Sequence, residues 1–177
     1  MKKNIQLCIA YVVLITTIKS THANIKQMGD NVQYALPAIA FSSTLLQSDF
    51  EGTMQLLKSF ATSSLTTELL KKTTRKERPD KSNKFSFPSG HTSAAFQSAS
   101  FIHFRYGLSY AIPAYIAASF VGYSRVHEKR HDIIDVTAGA ALGIFSSWYF
   151  TTRKEDKSAL IPTFSQDGIL LNYIHSW

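Results

Sequence analysis

The chain has 177 residues, 45% hydrophobic, 12% aromatic and 18% charged, with a formal net charge of +7. That is one domain's worth of material, apolar enough to bury a core and too apolar for global disorder. A single cysteine, Cys8, excludes an intrachain disulfide, and 8 Gly with 5 Pro exclude a collagen-like chain.

Met1-Lys2-Lys3 opens a basic start, and Ile5 to Ile18 is an apolar run broken by Gln6, Thr16 and Thr17. Lys19 to Ala23 is polar and ends in a small residue, so residues 1–23 read as a secretory signal peptide. As a helix the apolar run would span about 21 Å, short of the ~30 Å hydrocarbon core, and a retained anchor is the alternative. Cleavage after Ala23 would remove 23 of the 177 residues and three lysines but no acid, leaving 154 residues at +4 and no cysteine. Such a chain suits an exported, periplasmic setting, and +4 is a modest lure for anionic substrates or a membrane surface. No nucleic-acid partner is expected.

Residues 24–48 are expected to form an N-terminal helical lead-in: a polar stretch from Asn24 to Val32, then the apolar Tyr34 to Leu46 with Pro37 near its start. Asp49 to Lys72 reads as a helix, with Met54, Leu56, Leu57, Phe60, Leu65, Leu69 and Leu70 at near three-to-four spacing. Arg75 to Lys84 is a charged loop containing Pro79. Further helices are expected over Thr92 to Arg105, Leu108 to Tyr123 and Ile133 to Phe150, the last rich in Ala and Gly, which suits close packing. In the tail, 151–177, a turn at Gln166-Asp167-Gly168 precedes the alternation of Ile169, Leu171, Tyr173, His175 and Trp177, a short terminal strand. Mean hydropathy is −0.05, well below that of a bundle of full membrane spans. Gln97, His103 and Arg105 would be costly at a bilayer centre, so buried core helices are expected rather than spans.

Three clusters carry the chemistry. Lys71 and Arg78, the latter followed by Pro79, are seven apart, and on a continuous helix would share a face. Two cations facing one point suit a phosphoryl group, although a solvated basic loop would look the same. Pro88-Ser89-Gly90-His91 precedes a helix whose first backbone N–H groups favour an anion. Ser89 could cap that helix or donate to a phosphate oxygen, Gly90 allows close approach, and His91 could act as general acid. The plain reading is a capping turn with an exposed His. In the third cluster, Ser124-Arg125 leads to His131 and Asp135, which are i and i+4. An acid on one ring nitrogen fixes the tautomer and leaves the other nitrogen as a nucleophile, while Arg125 adds a planar fork for phosphate oxygens.

These residues resemble the superfamily of type 2 phosphatidic acid phosphatases, bacterial class A acid phosphatases and vanadium haloperoxidases. Its three motifs, Lys-x6-Arg-Pro, Pro-Ser-Gly-His and Ser-Arg-x5-His-x3-Asp, stand here in order and without substitution. They fix eleven positions within about residues 49 to 150, the expected catalytic core. The resemblance implies an all-α helical bundle and a phosphatase of phosphomonoesters or diphosphates, lipid phosphates among them. It implies that His131 attacks phosphorus, Asp135 orients His131, and His91 protonates the leaving oxygen and then activates water. It implies that Lys71, Arg78, Ser89, Gly90 and Arg125 hold the phosphoryl oxygens. It implies no metal or other cofactor.

Two other classes compete. His127-Glu128-Lys129-Arg130-His131 is also a His-Glu-x-x-His zinc-protease pattern, with Glu155 as a conceivable third ligand. It fixes three positions and explains neither of the other clusters. A non-catalytic phosphate-binding protein would use the same cations but would need neither the His131–Asp135 pair nor His91. A haloperoxidase would share every ligand but usually has a larger scaffold.

Overall fold

The computed structural model describes residues 25–154, with the backbone of 158–165 and 168–175. The segment read as a signal peptide, and Glu155, lie outside the described residues. Five helices run in chain order: α1 (Ile25–Leu46), α2 (Phe50–Thr74), α3 (Gly90–Tyr106), α4 (Leu108–His127) and α5 (Ile133–Phe150). The fold is an all-α bundle, followed by an antiparallel hairpin of β1 (Ser158–Ser165) and β2 (Gly168–His175). The expected terminal strand is β2. Its partner, β1, carries Pro162, which a two-stranded ladder tolerates because both strands are edges.

Local chemistry sets the helix ends. Asp49 caps α2 by accepting from the Gly52 N–H at 3.0 Å. Arg75 ends the same helix in the left-handed region, φ 46°, with its N–H on the Lys71 carbonyl. Gly107 joins α3 to α4 at φ 110°, a conformation that favours glycine. Asp132 and Asp135 form a capping box at the start of α5. In the lead-in, helix begins at Ile25, includes the polar Asn31 and Gln33, and continues through Pro37.

α3 is the central helix and packs against all four others. Its contact with α5 is close because α5 offers glycine. A Cβ on Gly139 would stand 2.5 Å from the Ser89 carbonyl oxygen, and one on Gly143 would stand 2.4 Å from that of Ser93. Much of the interior is small and polar. Ser63 and Ser93 share a 2.7 Å hydrogen bond, Gln97 Nε2 donates to Ser59 Oγ at 2.8 Å, and Ser147 Oγ donates to the Gln97 carbonyl at 2.7 Å. Arg105, 3% exposed, donates to both Asp49 oxygens at 2.8 and 2.6 Å, tying the end of α3 to the α1–α2 junction.

The outer faces are the reverse. Leu57, Leu65 and Leu69 on α2, Ile112 and Ile116 on α4, and Phe145, Trp148 and Tyr149 on α5 are all exposed. Apolar residues on these faces lie outside the buried core. α5 is 18 residues long, apolar enough to cross a membrane, and only 28% buried. Gln97 and Arg105, which counted against a bilayer, point inward to partners, so their cost does not fall on the outer surface.

Candidate active site

All three sequence clusters meet at one end of the bundle. Lys71 comes from the last turn of α2, and its Nζ lies 3.1 Å from where a Gly90 Cβ would stand. Glycine at position 90 therefore leaves the ammonium room against the start of α3. Lys71 and Arg78 do not share a helical face, because α2 ends at Thr74 and the chain turns at Arg75. Arg78 instead reaches the site from the loop. The Arg78 N–H bonds the Asn83 carbonyl, and the Ser86 N–H bonds the Lys76 carbonyl, so the loop folds back on itself. The buried Arg78 Nε has no hydrogen-bond partner. Burial, together with the nearby Arg130 and Arg125 guanidinia, lowers the Arg78 pKa below the ordinary arginine value. An orphan donor among cations is an environment that favours an anion.

Ser89 stands at the N-cap of α3 but makes no side-chain capping bond. Its Oγ pairs with Thr92 Oγ1 at 2.9 Å, so the capping role weighed from sequence is absent. Its backbone N–H bonds the Asp135 carbonyl at 2.9 Å, which joins the Pro-Ser-Gly-His turn to the first turn of α5. The Arg125 carbonyl at the end of α4 accepts from the N–H groups of both Arg130 and His131. This turn carries the chain from α4 to His131.

His131 is 3% exposed, and its Nδ1 lies 3.5 Å from Asp135 Oδ2 and 3.5 Å from Ser86 Oγ. Asp135 is fully buried and heavily solicited. Its Oδ1 takes the Lys76 ammonium at 2.8 Å, and its Oδ2 takes the Ser86 hydroxyl and the Asp132 N–H. Lys76 also pairs with Asp132. Burial would lower the Lys76 pKa, but these two carboxylates raise it above the ordinary lysine value. His131 moves the other way: burial first and the Arg78 charge second pull it down to about 4, against the opposing effect of Asp135. The imidazole is therefore neutral at pH 7, with Nδ1 toward the carboxylate and Nε2 as the remaining nitrogen.

His91, in the first turn of α3, places Nε2 at 3.1 Å from Asp30 Oδ1. The same oxygen accepts from Arg125 Nη1 at 2.8 Å. Arg125 Nη2 donates to the Lys26 carbonyl, so α1 closes one side of the site.

The zinc-protease geometry does not form. α4 stops at His127, Lys129 takes a left-handed φ of 53°, and the His127 ring stacks on Tyr123, 5.7 Å between centroids. His127 and His131 thus do not stand one turn apart on a helix. Among the described residues no group of three or more His, Cys, Asp or Glu could hold a metal ion.

Residues 52–158, more than half of the chain, match the family described as the PAP2 superfamily. The chain belongs to the PAP2 superfamily. Over 70 residues it is 46% identical to a "Lipid A 1-phosphatase" of Porphyromonas gingivalis, covering 38% of this chain and 16% of that one. Over 81 residues it is 37% identical to a "Lipid A 4'-phosphatase" of Helicobacter pylori, covering 45% of this chain and 41% of that one. The chain thus spans less than half the length of these two relatives. The crystal structure of Aquifex aeolicus LpxE superposes with a TM-score of 0.60 at 20% identity, covering 78% of this chain and 92% of that one. That likeness establishes the PAP2 fold.

Three residues of this candidate site escaped the sequence reading. Lys76 is an unspecified position within the first motif and Ser86 lies between the first and second, and their approach to Asp135 depends on how the 75–89 loop folds. Asp30 lies in the stretch read as a polar lead-in. The one local signal was its i, i+4 spacing from Lys26, a pair the structure shows at 3.3 Å.

Proposed function

We propose that the chain is an exported phosphatase that hydrolyses lipid phosphates at a membrane through a phosphohistidine intermediate. The observation that carries this reading is the buried His131, whose Nδ1 lies 3.5 Å from Asp135 Oδ2, near Arg78, whose buried Nε has no hydrogen-bond partner. His131 Nε2 gives its lone pair to phosphorus, and the bond from phosphorus to the ester oxygen breaks. His91 gives that oxygen its proton. The imidazolium so formed is stabilised by Asp135. Water then attacks phosphorus, losing a proton to His91, and the phosphorus–nitrogen bond breaks to release inorganic phosphate. Lys71, Arg78 and Arg125, with Ser89 and the Gly90 amide, hold the phosphoryl oxygens, and such fixed charges usually supply the largest catalytic contribution. None of these steps draws on a metal ion.

The lipid part of the reading is supported by the outward leucine, isoleucine and aromatic faces of α2, α4 and α5 and by the span-length α5. The names of the two bacterial relatives agree with it. A soluble phosphomonoester is the second reading, favoured by the mean hydropathy of −0.05.

Phosphate release by the full chain tests both, on a chromogenic aryl phosphate, a nucleotide, phosphatidic acid, a polyprenyl diphosphate and lipid A, each with chelator and with orthovanadate. Turnover that survives chelator, falls with vanadate and is fastest on a lipid is expected. Turnover fastest on the nucleotide would favour the soluble reading. Activity retained by His131→Ala would remove the phosphohistidine route.

A further inference from the structure

Asp30 is the acidic side chain shared by the expected general acid and an expected phosphate-binding cation. Its Oδ1 accepts from Arg125 Nη1 at 2.8 Å and lies 3.1 Å from His91 Nε2. A carboxylate oxygen and a phosphoryl oxygen make the same charge-assisted bonds to a guanidinium and an imidazole. Asp30 therefore lies where a phosphate oxygen would have to arrive.

The placement is fixed by the neighbouring glycine. A Cβ on Gly29 would stand 2.0 Å from Ser124 Oγ and 2.8 Å from Arg125 Nη2, so α1 meets the end of α4 backbone to side chain. That contact holds the second turn of α1 over the site. The Asp30 side chain is still 29% exposed, and a third partner waits on its own helix: Lys26 Nζ lies 3.3 Å from Oδ2. Lys26 thus offers the carboxylate a partner that does not depend on Arg125 or His91.

Resting on the phosphatase reading above, we propose that Asp30 is a built-in competitor that any phosphoryl group must displace from Arg125 and His91. An incoming phosphoryl group and the carboxylate are both anions seeking one Nη1, and they repel at that distance. Inorganic phosphate has only its own charge with which to displace Asp30. A phosphate ester must displace the same carboxylate, so Asp30 weakens the binding of ester and free phosphate alike.

The test is competitive inhibition of the full chain, with inorganic phosphate and orthovanadate against a chromogenic aryl phosphate, for wild type and Asp30→Asn. The substitution removes the charge and keeps the shape. Both inhibition constants should tighten by about tenfold. Unchanged or weaker constants would overturn the proposal and make Asp30 a support for Arg125 instead. A wild-type structure with vanadate bound checks the same point without a variant. The Asp30 carboxylate should then lie beyond hydrogen-bond reach, over about 3.5 Å, of Arg125 and His91, and a carboxylate still bonded to both would also overturn the proposal. A wild type that releases no phosphate from any substrate would remove the functional reading itself, a result distinct from an active enzyme whose inhibition ignores Asp30.

Discussion

Lys76 Nζ donates to Asp135 Oδ1 at 2.8 Å across 59 residues of chain. The ammonium sets one carboxylate oxygen while Ser86 and the Asp132 N–H set the other, so the acid facing His131 cannot rotate freely. Lys76→Met should lower kcat by roughly tenfold with little change in KM, since the lysine acts on Asp135 rather than on the substrate. Steady-state kinetics would show the split. A rise in KM at constant kcat would instead make Lys76 a substrate contact.

Asp135 is also the N3 residue of the α5 capping box, which fixes its backbone while Lys76 and Ser86 fix its carboxylate. Asp135→Asn keeps the shape but lets the ring take the other tautomer. A loss on the order of 10³–10⁴ in kcat is expected, by analogy with Ser-His-Asp triads. A loss under tenfold would mean that Asp135 does not orient the ring.

The low His131 pKa has a consequence for stability. The folded-state value is about 4, against an ordinary 6.5. Between these two values the unfolded chain binds a proton that the folded chain refuses. Stability should be highest above pH 6.5, fall as the pH drops toward 4, and owe nothing further to this group below that. Thermal melts of wild type and His131→Gln across this window would show the wild type losing more. Ring nitrogen NMR should find His131 still neutral at pH 5, and titration near 6.5 would contradict the burial argument.

Gly143 lies against the backbone of α3, with a would-be Cβ 2.4 Å from the Ser93 carbonyl oxygen and 2.6 Å from the Gln97 N–H nitrogen. Neither atom is a flexible side-chain end. Gly143→Val should cost about 3 kcal/mol or more, beyond ordinary overpacking. A melting temperature within a degree or two of wild type would show that α3 and α5 can separate cheaply.

The motifs were legible because phosphoryl chemistry fixes residue type and spacing at once. Lys71, Arg78, Ser89, Gly90, His91, Arg125, His131 and Asp135 could be named without a fold. The helices over 92–105, 108–123 and 133–150 were equally legible, from apolar runs bounded by Pro, Gly and Asp. Their surroundings were not. Apolar content alone does not say whether Leu65 or Trp148 faces the core or the outside, and here many interior positions are Ser, Gly or Ala beside Leu36, Phe101 and Ile102.

By itself the sequence named the candidate reacting groups, the order of the helices and the family they resemble, because these depend on local identity and spacing. Only the tertiary structure decided which other residues join the site. Lys76 and Ser86 reach Asp135 because the loop folds back over the start of α5. Asp30 reaches Arg125 and His91 because a glycine lets α1 close on α4. Hydrogen bonds between residues 49 to 95 positions apart leave no periodic trace in a chain, and packing alone brings them together.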